Sequence, residues 1–165
     1  MGLYRIQLRD QKLNVIIANF GRENYLWPQC LERSTVATVE DIRLRPFFLA
    51  GDREGYINLC LKVSRTARGR PPTRAVASRW FNVGLEVAES VGDLWIHREK
   101  ENLWWTVTTA QAATSEIQSV HRPSYDEESV YVIHKPAQKW SNRNKDGTRL
   151  DWGALHPRAK DFLFT

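Results

Sequence analysis

At 165 residues, with 42% hydrophobic and 26% charged side chains, the chain has the size and composition of one globular domain with a sizeable core. A net charge of +5 and a pI of about 9.4 favour a polyanionic partner or an anionic membrane surface. Cys30 and Cys60 lie far apart, with no CxxC spacing and no nearby histidine, which argues against a disulfide framework or a zinc site and for two free, buried thiols in a reducing cytosol.

The N-terminus, Met1-Gly2-Leu3-Tyr4-Arg5, lacks the apolar core of a signal peptide. No apolar run approaches the ~18 residues of a membrane span, so a soluble, cytoplasmic chain is expected. Tyr4, Ile6 and Leu8 alternate, and Val15, Ile16 and Ile17 are β-branched, which predicts a hairpin turning at Asp10-Gln11. A helix is the alternative for Leu13 to Phe20. Gly21 to Gln29 reads as a loop ended by Pro28, and Leu31 to Val39 has no clear period. Thr38 reads as the cap of a short helical or extended segment that Pro46 interrupts.

Asp52 has the place of an N-cap, followed by Tyr56, Leu59, Cys60 and Val63 at helical spacing. That helix stops before Gly69. Thr73 is the next N-cap, and Val76, Ala77, Trp80, Phe81, Gly84 and Ala88 form an apolar stripe that Gly92 ends. Leu94 to His97 and Trp104 to Thr108 predict a hairpin across the charged turn Arg98 to Asn102. In it Trp95 and His97 share one face, Leu94 and Ile96 the other. Ala110 to Glu128 is polar and reads as a long loop with a short strand, Val130 to Ile133 as a strand, and Trp152 to Leu163 as a short helix. The whole predicts an α+β fold: a small curved mixed or antiparallel sheet with two to four helices, in a single domain. The apolar end Phe162-Leu163-Phe164-Thr165 reads as a cut through a longer protein.

Four constellations carry chemistry. From Lys62 to Arg79 there are six positive side chains and no acid, around a loop broken by Gly69, Pro71 and Pro72. Arg65, Arg68 and Arg70 precede a helix whose free N–H groups add positive potential near Thr73, and Arg74 and Arg79 follow on it. Arginine grips phosphate through a planar fork, so this is an anion site; the alternative is a solvated surface paired with distant acids. A second loop, Lys135 to Arg149, holds five positive residues, one acid and several amides. It is either a recognition loop or a plain turn cornered at Asp146-Gly147, with Trp140 in the core. The third is His121-Arg122-Pro123-Ser124-Tyr125, a proline and an aromatic beside a cation: a pocket for a modified group or an ordinary loop. Trp95, Trp104 and Trp105 are the fourth, an aromatic cage or sheet packing. The four histidines have no metal-ligating spacing, and no Gly-rich phosphate loop or GxSxG elbow occurs. No catalytic residue and no cofactor is expected.

Several stretches together resemble the N-terminal region of bacterial proteins that carry a C-terminal HNH nuclease. They are Thr66-Ala-Arg-Gly69 with Pro72 to Asn82, Gly92 to Lys100 with Leu103 to Thr106, His134-Lys-Pro136 with Trp140 to Arg143, and Leu155-His-Pro157 with Lys160 and Phe162 to Thr165. The type resembles modification-dependent restriction enzymes, whose readers recognise methylated bases or phosphorothioate backbones. The resemblance implies a reader of modified double-stranded DNA that targets a linked nuclease, itself outside this sequence. In it Arg65, Arg68, Arg70, Arg74 and Arg79 neutralise phosphates. Lys135, Lys139, Asn142, Arg143, Asn144 and Lys145 flank the same duplex. His121, Arg122, Pro123 and Tyr125, or Trp95 and Trp104, supply the pocket for the modification. The rival readings are an RNA-binding α+β module, an enzyme acting on a phosphate-bearing small molecule, and a protein-interaction domain.

Overall fold

The computed structural model describes residues 3–7, 14–122 and 125–151. The expected turn at Asp10-Gln11 and the expected helix from Trp152 to Leu163 lie outside them. The chain divides into two compact units: residues 1–36, 90–112 and 135–165 form the first, residues 37–89 and 113–134 the second. Helices and strands mix in the α+β manner expected, and the strands divide between two sheets.

The first unit is built on a four-stranded sheet of β1 (Leu3–Gln7), β2 (Asn14–Ala18), β4 (Leu94–Glu99) and β5 (Asn102–Val107), in the order β1-β2-β4-β5. β1 and β2 are the predicted antiparallel hairpin. β2 runs parallel to β4, and β4 and β5 form the predicted antiparallel hairpin, with Trp95 opposite Thr106 and His97 opposite Trp104. Trp95 and His97 are buried while Leu94 and Ile96 are half-buried, so the alternation read from the sequence sets the core face. Helix α1 (Trp27–Arg33) packs Trp27 and Cys30 into this core. Pro28 starts this helix rather than ending a loop, because the first helical turn has no use for its missing N–H. Ser90 ties the two ends of the hairpin together: its Oγ accepts from the Trp95 indole at 3.0 Å, donates to Asp93 at 2.7 Å and bonds the Thr108 hydroxyl at 2.8 Å.

The second unit has a three-stranded sheet in the order β3-β7-β6, from β3 (Thr35–Asp41), β6 (Thr114–Arg122) and β7 (Tyr125–Pro136). Three helices belong to it: α2 (Arg45–Leu49), α3 (Arg53–Val63) and α4 (Arg74–Glu89). Thr38 lies inside β3 and caps nothing. The capping side chain is that of Asp41, which accepts from the Arg43 N–H at 2.9 Å, and Pro46 begins α2 instead of interrupting a segment. Both predicted helix caps hold: Asp52 accepts from the Gly55 N–H at 2.9 Å and Thr73 from the Val76 N–H at 3.2 Å. The buried face of α4 is Ala77, Phe81, Gly84 and Val87, rotated slightly from the predicted stripe. Phe81 meets Tyr56 of α3 and Phe48 of α2 edge-on, at ring separations of 5.1 and 5.6 Å.

The short strand expected within the long loop of Ala110 to Glu128 is the nine-residue β6, and β7 begins inside the same stretch. The residues of β6 from Thr114 to Ser119 are mostly exposed, so no alternation marks it, yet it pairs antiparallel with β7 from Thr114↔His134 onward. Val130 to Ile133 of β7, expected as strand, are buried without a break. Among the described residues no helix is long and apolar enough to cross a membrane. Cys30 and Cys60 are buried free thiols, and burial pushes the Cys30 thiol up to about 12.

Candidate nucleic-acid interface

In the second unit the chain leaves α3 at Val63 and enters α4 at Arg74 through a short loop. The Thr66 N–H donates to the Arg70 carbonyl at 2.8 Å, and the Gly69 N–H to the Thr66 carbonyl at 2.9 Å. Gly69 takes a positive φ of 72°, open to glycine at little cost, and this closes the turn. Arg68 and Arg70 flank Gly69 in sequence and are exposed, as is Arg65 just before the turn. Arg65 folds back onto the Ser64 carbonyl at 2.7 Å. Arg68, Arg70 and Arg79 are exposed and make no ion pair among the described residues.

Arg74 is different. It forms an ion pair with Glu54 of α3 at 2.7 Å and donates to Asn58 at 3.0 Å. Of the five arginines expected to meet phosphate, Arg74 alone is ion-paired among the described residues: its acid lies twenty residues earlier in sequence, outside the acid-free run. Arg53, unremarked in the sequence, braces the same helix pair by bonding Asn82 at 2.7 Å and lying over the Phe81 ring.

The second basic loop belongs to the first unit. Ser141 and Trp105 exchange two backbone hydrogen bonds of 2.9 and 3.0 Å, an isolated bridge that pins the loop to β5. Its tip is a turn organised by Asn144, whose Oδ1 accepts from the Asp146 N–H at 3.0 Å and the Thr148 N–H at 2.9 Å. That amide is committed to the turn and offers only its NH₂ to a ligand, which narrows the role expected of Asn144. Arg143 also supports the tip, donating to the Gly147 carbonyl at 2.9 Å, and its own carbonyl accepts from the Trp105 indole at 2.7 Å. Lys139 and Lys145 are exposed and Asn142 is half-buried.

Lys135 is a correction. It is 3% exposed, and its Nζ donates to the Gln111 carbonyl at 2.6 Å. A buried ammonium bonded to backbone cannot reach a duplex. Trp140 is core: it is buried and its indole donates to the Thr35 carbonyl at 2.9 Å.

The expected modification pocket fares unevenly. The backbones of Arg122 and Tyr125 pair at the end of the β6–β7 hairpin; Pro123 and the side chains of His121, Arg122 and Tyr125 lie outside the described residues. Trp95 is fully buried with its N–H held by Ser90, so it offers no ring face to a ligand and leaves the pocket. Trp104 is half-buried, and its ring meets Trp27 at 5.7 Å. Trp27 in turn lies 4.2 Å from the ring of His97. Neither Trp27 nor His97 was placed at a site by sequence reasoning, since their neighbours come from distant elements.

The arrangement can attract an anion: exposed guanidinium groups, a helix N-terminus behind them, and, among the described residues, no acid paired to Arg68, Arg70 or Arg79. Among the described residues no three His, Cys, Asp or Glu side chains gather to hold a metal ion. Comparison with protein-family models, with curated proteins and with solved structures finds no match to this chain.

Proposed function

We propose that this chain is a DNA-recognition domain that binds the phosphate backbone of duplex DNA, prefers modified DNA, and directs a linked nuclease to it. One observation carries the reading: Arg68, Arg70 and Arg79 stand exposed on the α3–α4 turn and the start of α4, with no acid among the described residues paired to them. Like charges gathered on one exposed turn favour a polyanion over a single counter-ion, and phosphate suits their forked donors. The tip from Lys139 to Arg149 is a second cationic surface, carried by the first unit on a turn that Asn144 closes. The preference for methylated or phosphorothioate DNA, and the nuclease, come from the resemblance in sequence.

The test is a competition assay with a fluorescent duplex in three forms: plain, cytosine-methylated and phosphorothioate. Unlabelled single-stranded RNA is the competitor. Tighter binding to one modified duplex, resisted by RNA, supports the proposal in full. Equal binding to all three duplexes keeps the DNA-binding reading and removes the modification preference. Displacement by RNA at lower concentration than by duplex makes the domain an RNA binder.

A further inference from the structure

Buried indole N–H groups ordinarily find an acceptor, and buried imidazole nitrogens a partner. The first unit follows that rule for three tryptophans. Trp95 donates to Ser90, Trp105 to the Arg143 carbonyl and Trp140 to the Thr35 carbonyl. It breaks the rule at Trp27 and Trp104, whose buried Nε1 atoms have no partner among the described residues, and likewise at the Nε2 of His97. The three exceptions are neighbours. Trp27 is in ring contact with both His97 and Trp104, and His97 and Trp104 sit opposite each other on β4 and β5.

The chemistry of the histidine is fixed by its other nitrogen. Nδ1 lies 2.9 Å from the Ala18 carbonyl, which only accepts, so Nδ1 carries the proton and Nε2 a bare lone pair. Burial keeps the ring neutral by holding its pKa below the ordinary value. Two donors and one acceptor therefore stand unanswered within one aromatic cluster, whose further walls are Phe20 and Trp140.

We propose that Trp27, His97 and Trp104 form a binding site for a small neutral guest that accepts the indole N–H groups and donates a hydrogen to His97 Nε2. A cation would face two N–H donors. An anion would give up its hydration to walls that hold no cation, and a fully deprotonated one has no hydrogen to give Nε2. A neutral group with donor and acceptor side by side satisfies all three. Two sources supply that chemistry: a water molecule, or the hydrogen-bonding edge of a flat heterocycle such as a nucleobase, which the aromatic walls would also stack. Of the three residues, Trp104 is the one with exposed surface; Trp27 and His97 are buried. The nucleobase source rests on the DNA-binding reading; the site itself does not.

The experiment is NMR on the whole chain labelled with ¹⁵N, following the indole N–H signals of Trp27 and Trp104 and the Nε2 shift of His97. The signals of Trp95, Trp105 and Trp140 serve as internal controls. Thymidine and 5-methyl-2′-deoxycytidine are added at millimolar concentration. Saturable shifts confined to Trp27, Trp104 and His97 support the site with a heterocycle as guest. Trp104→Phe, which keeps an aromatic ring and removes the N–H, should then weaken binding at least about tenfold. Unmoved signals with cross-peaks from both indoles to water, and an Nε2 shift of a hydrogen-bonded acceptor, support it with water as guest. No movement and no water cross-peak overturns it, and the wild-type measurement decides even if the variant does not fold. Duplex binding measured in parallel reports separately on the basic surface.

Discussion

Glu40 places a carboxyl in the core of the second unit, and replacing it with glutamine tests how that core is held. Glu40 is buried, hydrogen-bonded to Tyr56, and burial raises its pKa from 4.5 to about 8. Tyr56 and Cys60 beside it are also pushed up by burial, so all three stay protonated at neutral pH. Between pH 4.5 and 8 the folded chain keeps a proton that the unfolded chain has released. Stability therefore falls as pH rises through that window, by at most about 1.4 kcal/mol per unit. The total reaches about 5 kcal/mol above pH 8, with the full stability present only below pH 4.5. Glutamine has the same shape, still accepts from Tyr56 and carries no proton to lose. Glu40→Gln should match the wild type within about 1 kcal/mol at pH 5 and exceed it by several kcal/mol at pH 8. Urea denaturation at pH 5, 6.5 and 8 measures both profiles. Parallel profiles for the two proteins would refute the reasoning, because the slope would then belong to other groups.

Gly84→Ala tests the same core from α4. The added methyl would meet the Phe48 ring at 2.6 Å and Glu40 Oε1 at 2.9 Å. The crowding should lower stability by about 1–3 kcal/mol in urea denaturation, and an unchanged midpoint would contradict this packing. Ser90→Ala in the first unit leaves the buried Trp95 N–H without its acceptor and should cost about 1–3 kcal/mol, read by thermal unfolding. Arg74→Ala should change duplex affinity far less than Arg70→Ala, because Glu54 already holds Arg74; equal losses by fluorescence anisotropy would show that the ion pair opens on binding.

Local chemistry was legible in the sequence. Asp52 and Thr73 act on N–H groups three residues away, so their caps follow from spacing alone. The β4–β5 hairpin follows from alternation about a charged turn, and Trp95 and His97 share a face as read. The extent of β6 was hidden because its residues are mostly exposed and polar; its pairing comes from β7, not from its own period. Lysine is so seldom buried that Lys135 read as a surface charge, and its acceptor is a backbone carbonyl that no side-chain pattern announces. Counting acids within the basic run missed Glu54, which sits on the preceding helix. The Trp27–His97–Trp104 cluster draws on α1, β4 and β5, and only the fold brings these together.

The central claim is that the α3–α4 arginines meet phosphates, and salt dependence tests it most directly. Duplex affinity is measured across a salt series for the wild type and for the Arg68→Ala, Arg70→Ala double variant. The account predicts a steep fall of log K with log salt in the wild type. Losing two phosphate contacts should flatten that slope by about 1.8 and weaken binding at low salt. A wild-type affinity indifferent to salt, or identical slopes for the two proteins, would contradict it.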